Sequence, residues 1–171
     1  MNEPLLHYFA YGSNLHRGRM VARVPSARTV GTAPLDGHAL RFHKRSLVDG
    51  SGKCDALLTG NPADRVYGAV YAIRATERSL LDAFEGPGYA VVERTVRIDG
   101  RELPVFLYCA RSEAIADGLA PYDWYHGFVV QGARQHGLPG DYVTRLEATA
   151  TRPDPDAARA AAEFRLLHGD D

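Results

Sequence analysis

The stretch "HYFAYGSNL", His7–Leu15, decides the fold and contains the first candidate for a ligand-binding site. Its first half mixes aromatic and small apolar residues, and within residues 5–11 this run has the length and composition of a buried β-strand. Its second half is Gly-Ser-Asn, a set of turn residues that a strand interior rarely carries. The sequence therefore predicts a strand that ends in a tight turn. The next segment, "LHRGRMVARVP", predicts a short helix that Asn14 caps and Pro25 ends.

The Gly-Ser-Asn turn has the residue types of an anion-binding site. A strand that delivers these residues to a helix start places free backbone N–H groups at one point. Such groups, together with the positive end of the helix dipole, bind a carboxylate, a phosphate or a developing oxyanion. Gly12 in addition allows a positive φ or the close approach of a ligand. An ordinary turn with an N-cap has the same composition, so this stretch alone leaves both interpretations open.

A second feature is an acidic residue at a helix end. "ATERSLLDAFEG" predicts a helix with Thr76 as its N-cap and Gly86 as its stop. Glu85 then sits at the C-terminal, partly negative end of that helix, where the charged form is disfavoured and the pKa should rise. A raised glutamate pKa suits a general acid/base near neutral pH. A surface glutamate at a frayed helix end is the alternative interpretation.

The remaining pattern predicts an α+β fold, because strands come mostly before helices. Strands are predicted for five segments: "HALRFHK", "CDALLTG", "VYGAVYAI", "YAVVERTVRI" and "ELPVFLYCA". A turn is predicted at Pro34–Gly37, and Asp99-Gly100 is a hairpin signal between the last two strands. Three helices follow after Pro121, and Asp154 or Asp156 is expected to cap the third.

Composition narrows the functional class. The 171 residues fit one domain, and 45% hydrophobic with 24% charged residues is typical of a soluble globular protein. The net charge of −1 gives no sign of a nucleic-acid partner. No segment approaches the ~20 apolar residues of a membrane span. The residues around Asn2 lack the basic start and apolar run of a signal peptide. A cytoplasmic protein is expected.

Other chemical motifs are weak. Cys54 and Cys109 are expected to be free thiols in a reducing compartment, and the seven histidines show no metal-ligand spacing. "GSGK" at residues 50–53 lacks the rest of a phosphate-binding loop, so it is interpreted as a surface loop or a substrate-facing loop. We therefore expect neither a metal nor another cofactor.

Taken together, "YFAYGSNL" and the later "LDAFEG" with Tyr89 behind it resemble the γ-glutamylcyclotransferase-like (AIG2-like) family. Further similarity runs through "FHKRSLVDGSGKCDA", "VYGAVYAI" and "YHGFVVQGARQHGLPGDYVTRLEA", so that it covers roughly residues 7–148. The segment between Glu85 and Tyr89 is shorter than in the animal enzymes of the family. Glutathione-specific relatives begin with YGSL and a Trp instead of YGSNL, so specificity for glutathione is not expected.

The resemblance implies a compact mixed β-barrel with flanking helices and a pocket at one mouth. It implies that Glu85 is the catalytic acid/base and that further residues bind the substrate: Tyr11, Gly12, Ser13, Asn14, Leu15, Tyr89, Tyr108 and Tyr125. Residues 1–150 would form this domain. The helix within residues 151–171 would either pack on the same domain or extend from it, and a homodimer through that helix is left open.

The implied reaction is an internal aminolysis. The α-amine of a γ-glutamyl amino acid or γ-glutamyl amine attacks its own γ-carbonyl, giving 5-oxoproline and the free amine without water or cofactor. The leaving group is left open among an α-amino acid, the ε-amine of a lysine derivative and another amine. The alternative is a non-catalytic module that binds a small ligand in the same pocket, because one fold hosts many functions.

Overall fold

Two sheets and five helices make up the computed structural model, which describes residues 3–169. The strands are β1 (Leu5–Ala10), β2 (Arg28–Asp36), β3 (His38–Arg45), β4 (Gly52–Leu58), β5 (Arg65–Arg74), β6 (Tyr89–Ile98) and β7 (Arg101–Ala110). The helices are α1 (Arg17–Arg23), α2 (Arg78–Glu85), α3 (Asp123–Gln135), α4 (Gly140–Glu147) and α5 (Ala157–His168). Residues 1–2 and 170–171, which the predicted ranges include, lie outside the described residues.

The larger sheet has the strand order β2-β5-β1-β7-β6, with β1 at its centre. β1 runs antiparallel to β5 and parallel to β7. The α+β prediction is confirmed, and the sheet that was expected to form a compact mixed β-barrel curls into a half-barrel. Its edge strands β2 and β6 approach each other, with Ile98 packed close to Gly31, yet the strand order does not pair them by hydrogen bonds.

The smaller sheet is the β3–β4 ribbon. The carboxylate of Asp55 attaches it to β7 by accepting a hydrogen bond from the Ala110 amide at 2.8 Å. A register shift between Arg41 and Lys44 interrupts the β3–β4 ladder, and beyond it Lys44 pairs directly with Lys53. Cross-strand partners have neighbouring side chains, so this register sets two lysines beside each other.

The six predicted strands are confirmed, β2 is a strand that was not predicted, and one predicted turn is wrong. The predicted hairpin is present, with positive φ at both Asp99 (49°) and Gly100 (75°). The turn predicted at Pro34–Gly37 is confined to Gly37, because β2 continues through Pro34 to Asp36. β2 is an edge strand, where a proline that cannot donate to a ladder is tolerated.

The helix caps differ from the predictions in two of three places. The Nδ1 atom of His16, not Asn14, caps α1 by accepting from the Arg19 amide at 3.1 Å. Thr76 lies inside a 3₁₀ turn ahead of α2, which has no side-chain cap. Asp156 caps α5, as one of the two predicted alternatives. Asn14 is not a cap because its side chain makes three other hydrogen bonds, described below.

The last helix packs against the rest of the chain. A 2.7 Å ion pair joins Arg19 of α1 to Glu163 of α5, and the buried Leu167 lies against Gly127 of α3. The segment before α5 is held by Asp154, whose carboxylate binds Trp124 Nε1 at 2.9 Å and the Arg159 guanidinium through both oxygens. No helix within residues 3–169 is long and apolar enough to cross a membrane.

We expect Asp154→Ala to lower the free energy of unfolding by about 2–4 kcal/mol, because it leaves a buried indole N–H and a guanidinium without their acceptor. These hydrogen bonds also hold the pKa of Asp154 below its usual value. A carboxyl whose folded pKa is depressed stabilises above its unfolded pKa, near 4, and this contribution is lost on acidification. Urea unfolding of both proteins at pH 7 and pH 3 should therefore show a difference that shrinks at pH 3; an equal difference would contradict it.

Candidate active site

A cavity of about 300 Å³ opens where β1 meets the start of α1 and the end of α2. Eight of the nine predicted site residues line it: Tyr11, Gly12, Ser13, Asn14, Glu85, Tyr89, Tyr108 and Tyr125. The structure thus brings together residues from four stretches that are far apart in the sequence. The volume of this cavity lies at the small end of the range for ligand pockets.

Leu15 is the predicted residue that does not line the cavity. Its side chain is fully buried in the core. Its carbonyl oxygen accepts from the Tyr71 hydroxyl at 3.1 Å and lies 2.9 Å from His136 Nε2. Leu15 therefore holds the Gly-Ser-Asn turn in place from behind, without reaching a ligand in the cavity.

In the Gly-Ser-Asn turn, the backbone of Gly12 closely approaches two side chains and is not in the left-handed conformation. Gly12 has φ −107° and ψ −138°, so a positive φ is not the reason for glycine here. A Cβ at this position would lie 3.2 Å from the Cys54 Cβ and 3.3 Å from the Tyr125 hydroxyl. Within residues 3–169, the amides of Ser13 and Asn14 have no hydrogen-bond acceptor, so this wall of the cavity retains two free donors.

Asn14 organises the polar end of the cavity. Its Nδ2 donates to the Tyr8 hydroxyl at 3.1 Å and to Glu85 Oε1 at 3.2 Å. Its Oδ1 accepts from Arg23 Nη1 at 3.0 Å. The side chain is buried and can rotate only by breaking these bonds, so it fixes where the Glu85 carboxylate sits.

Glu85 is the last residue of α2 and is half-buried. Burial raises the pKa of its carboxyl above the usual value, while the guanidinium of Arg23 and the ammonium of Lys44 oppose this rise. The predicted direction is confirmed, but the leading cause is burial in the cavity rather than the helix end alone. A rise of this pKa moves the carboxyl toward the range in which a general acid/base works near neutral pH.

Three of the four predicted tyrosines hold the walls together. The hydroxyl of Tyr89 donates to the Cys54 carbonyl at 2.6 Å, and that of Tyr108 donates to Asp82 at 2.6 Å. The Tyr11 hydroxyl donates to the Tyr108 carbonyl. In contrast, the Tyr125 hydroxyl accepts from the Cys54 amide at 3.0 Å, which leaves its own hydrogen for another acceptor.

Sequence reasoning missed the cations of the cavity and one tyrosine. Tyr8, whose hydroxyl accepts from Asn14, lines the same wall, and four basic residues join it: Arg19, Arg23, Lys44 and Lys53. The loop after β3 supplies Ser46, Leu47 and Val48 to the lining, and Lys53, from the "GSGK" segment that was interpreted as a surface or substrate-facing loop, lines the cavity from the start of β4. One feature of the sequence could have identified Lys44 and Lys53. They are the two lysines of a chain that otherwise uses arginine, eighteen times, as its basic residue.

Comparison with known proteins places these residues in a family context. A model of the family described as "Gamma-glutamyl cyclotransferase, AIG2-like" matches residues 8–126. Among curated proteins, human gamma-glutamylcyclotransferase is 31% identical over 158 residues, which cover 86% of this chain and 80% of the human protein. The mouse protein of the same name is 32% identical over 147 residues, covering 82% of this chain and 77% of its own length.

Solved structures agree over nearly the whole chain. A structure titled gamma-glutamyl cyclotransferase superimposes with a TM-score of 0.84 at 26% identity, covering 97% of this chain and 100% of that one. A human protein described as uncharacterized superimposes with a TM-score of 0.84 at 27% identity, covering 98% of this chain and 100% of that one.

Proposed function

Since the chain belongs to the AIG2-like gamma-glutamyl cyclotransferase family, we propose that it is a gamma-glutamylcyclotransferase that converts a small γ-glutamyl substrate into 5-oxoproline and a free amine. One observation carries this proposal. Among the described residues that line the cavity, Glu85 is the single carboxylate, and Asn14 holds it at 3.2 Å beside two free backbone amides. A site of this kind combines one proton carrier with donors for anionic oxygen.

The proposed reaction needs proton transfer at two nitrogens of one substrate. The α-ammonium gives a proton to Glu85, and the resulting amine attacks the γ-carbonyl carbon. The new C–N bond closes the ring, and the bond to the departing nitrogen breaks as Glu85 returns the proton to it. Glu85 carries a second proton in the same way from the attacking nitrogen, which becomes the ring N–H, to the departing amine, which leaves as an ammonium, and the carboxylate is regenerated.

The donors of the Gly-Ser-Asn turn serve the γ-glutamyl group in this scheme. The amides of Ser13 and Asn14 donate to its α-carboxylate or to the oxyanion of the tetrahedral intermediate. Because nucleophile and electrophile belong to one molecule, the cavity acts mainly by folding the substrate. Well-oriented internal reactions reach effective molarities on the order of 10⁵ M or more.

The direct test is release of 5-oxoproline from a panel of γ-glutamyl-alanine, ε-(γ-glutamyl)-lysine, a γ-glutamyl alkylamine and glutathione. We expect product from at least one of the first three and none from glutathione. A non-catalytic binding module would give no product, although a ligand would still raise the melting temperature of the protein. Such a melting shift without product from any substrate would therefore overturn the proposed activity.

A pH profile tests the role of Glu85 more finely. Arg23 lowers the pKa of Glu85 against the effect of burial, so Arg23→Met should raise that pKa further. Because the base must be ionised to accept a proton, activity falls as pH drops through this pKa. The acidic limb of the kcat/KM profile should therefore move to higher pH in Arg23→Met. Arg17→Met is the matched control, since Arg17 is exposed on the same helix and does not line the cavity; an unmoved limb in Arg23→Met would contradict the assignment.

We also propose a cytoplasmic location for this reaction. Cys54 and Cys109 are both free thiols, which is the usual state in a reducing compartment. The proposed partner is the small γ-glutamyl substrate itself.

A further inference from the structure

The charges lining the cavity do not balance. Four basic side chains face one carboxylate, that of Glu85. Three of the four have a polar partner: Arg19 pairs with Glu163 at 2.7 Å, Lys53 with Asp49 at 3.0 Å, and Arg23 with the Asn14 amide oxygen at 3.0 Å. The cavity therefore carries an excess of positive charge, which favours a ligand with more than one anionic group.

Lys44 is the basic residue without such a partner. The residue is 5% exposed, and within residues 3–169 its ammonium has neither an ion pair nor a hydrogen-bond acceptor; it lies 4.6 Å above the Tyr89 ring. Its cross-strand neighbour is Lys53, and like charges in that position destabilise a sheet. A buried ammonium is costly unless it is paired. The fold thus holds Lys44 where an anion of the ligand would neutralise it.

The strand that carries Lys44 runs directly into an apolar part of the cavity mouth. Leu47 is 74% exposed and Val48 is 86% exposed, although both belong to large apolar residue types. Hydrogen bonds shape their loop, since Ser46 Oγ accepts from the Val48 amide and Asp49 accepts from both the amide and the hydroxyl of Ser51. The exposure of these two side chains is therefore built into the loop, and we call Leu47 and Val48 the apolar rim.

We propose that Lys44 and the apolar rim select the leaving group, which is an apolar α-amino acid whose carboxylate pairs with the Lys44 ammonium and whose side chain packs on Leu47 and Val48. This inference rests on the proposed function. The γ-glutamyl half is assigned to the opposite donors, the free amides of Ser13 and Asn14. A cation and adjacent apolar side chains on one short segment match the carboxylate and the side chain of one amino acid.

A pair of substrates that differ only in the leaving carboxylate tests Lys44. γ-Glutamyl-leucine and γ-glutamyl-isoamylamine share the same side chain, and only the first has the second carboxylate. We expect the unmodified protein to prefer γ-glutamyl-leucine in kcat/KM by about tenfold or more, as is typical when a buried charge pair forms. Lys44→Met keeps the apolar stem. Because Lys44 also lowers the pKa of Glu85, the two substrates are compared on the pH-independent plateau of kcat/KM, and there the variant should lose the preference for γ-glutamyl-leucine. Lys44→Arg should restore part of the preference.

Each contrary result has a separate meaning. Equal loss of both substrates in Lys44→Met would overturn the inference, because Lys44 would then act on the shared γ-glutamyl half. Equal turnover of both substrates by the unmodified protein would also overturn it. Absence of 5-oxoproline from every γ-glutamyl compound with the unmodified protein would instead overturn the proposed function on which the inference rests.

The apolar rim has its own test, in which folding is not at risk because both side chains are exposed. Replacing Leu47 and Val48 together by serine should lower the kcat/KM ratio of γ-glutamyl-leucine to γ-glutamyl-glycine by about three- to tenfold, because glycine has no side chain that could pack on the rim. Leu58→Ser is the matched control, since Leu58 is 60% exposed and lies outside the cavity. An unchanged ratio in the double variant would overturn the role of the rim.

Discussion

Glu85→Gln is expected to lower kcat for 5-oxoproline formation by about 10³-fold, the scale on which a positioned general acid/base contributes. The amide retains the size of the side chain and can still accept the hydrogen bond from Asn14, so the cavity should keep its shape. It cannot, however, take a proton from the α-ammonium or return one to the departing nitrogen. Steady-state kinetics with the best substrate of the panel measures this loss.

The fold should survive this change. Because burial raises the pKa of Glu85, the ionised carboxylate is less stable in the protein than in water, and a neutral amide should leave the melting temperature at pH 7 unchanged or slightly higher. Glu93→Gln provides the control, since Glu93 is an exposed carboxylate outside the cavity. A Glu85→Gln protein with unaltered kcat would refute the acid/base role, whereas a large fall in melting temperature would point to a structural role.

Local patterns explain why one wall of the site could be predicted. β1 and the Gly-Ser-Asn turn follow from an apolar run interrupted by turn residues, and Glu85 is placed by the Gly86 that ends its helix. The same local rules predicted Asn14 as a helix cap, and that prediction was wrong. An asparagine before a helix is an ordinary cap by local rules, but here Glu85, Tyr8 and Arg23, all outside that turn, use its side chain.

The cationic wall could not be predicted from local patterns. Lys44 and Lys53 face each other only because the β3–β4 ladder shifts register between Arg41 and Lys44, and nothing in either strand alone reports that shift. The family resemblance implied a compact mixed β-barrel, but whether such a sheet closes depends on whether its edge strands β2 and β6 pair. Such long-range pairing is decided by packing, including the side chain of Ile98 against Gly31.

Gly132→Ala should be strongly destabilising, costing about 3 kcal/mol. A Cβ at Gly132 of α3 would lie 2.4 Å from the His16 amide nitrogen and 2.5 Å from the Leu15 carbonyl carbon. Both contacts are with backbone, which cannot rotate away, so α3 and the Gly-Ser-Asn turn must separate. For a chain of this size, the melting temperature should fall by about 6–12 °C.

The same helix contains the matched control. Gly127→Ala places its Cβ against the Cδ2 atom of Leu167, the movable end of a flexible side chain, and alanine gains up to about 1 kcal/mol of helix propensity at either position. Its melting temperature should therefore stay close to that of the unmodified protein. Because Leu15 and His16 directly follow Asn14, Gly132→Ala should also lower kcat/KM below the temperature at which it unfolds. Equal melting temperatures for the two variants would contradict this prediction. They would show that the Gly-Ser-Asn turn can move away from α3 at little cost, and that the position of Asn14 does not depend on this contact.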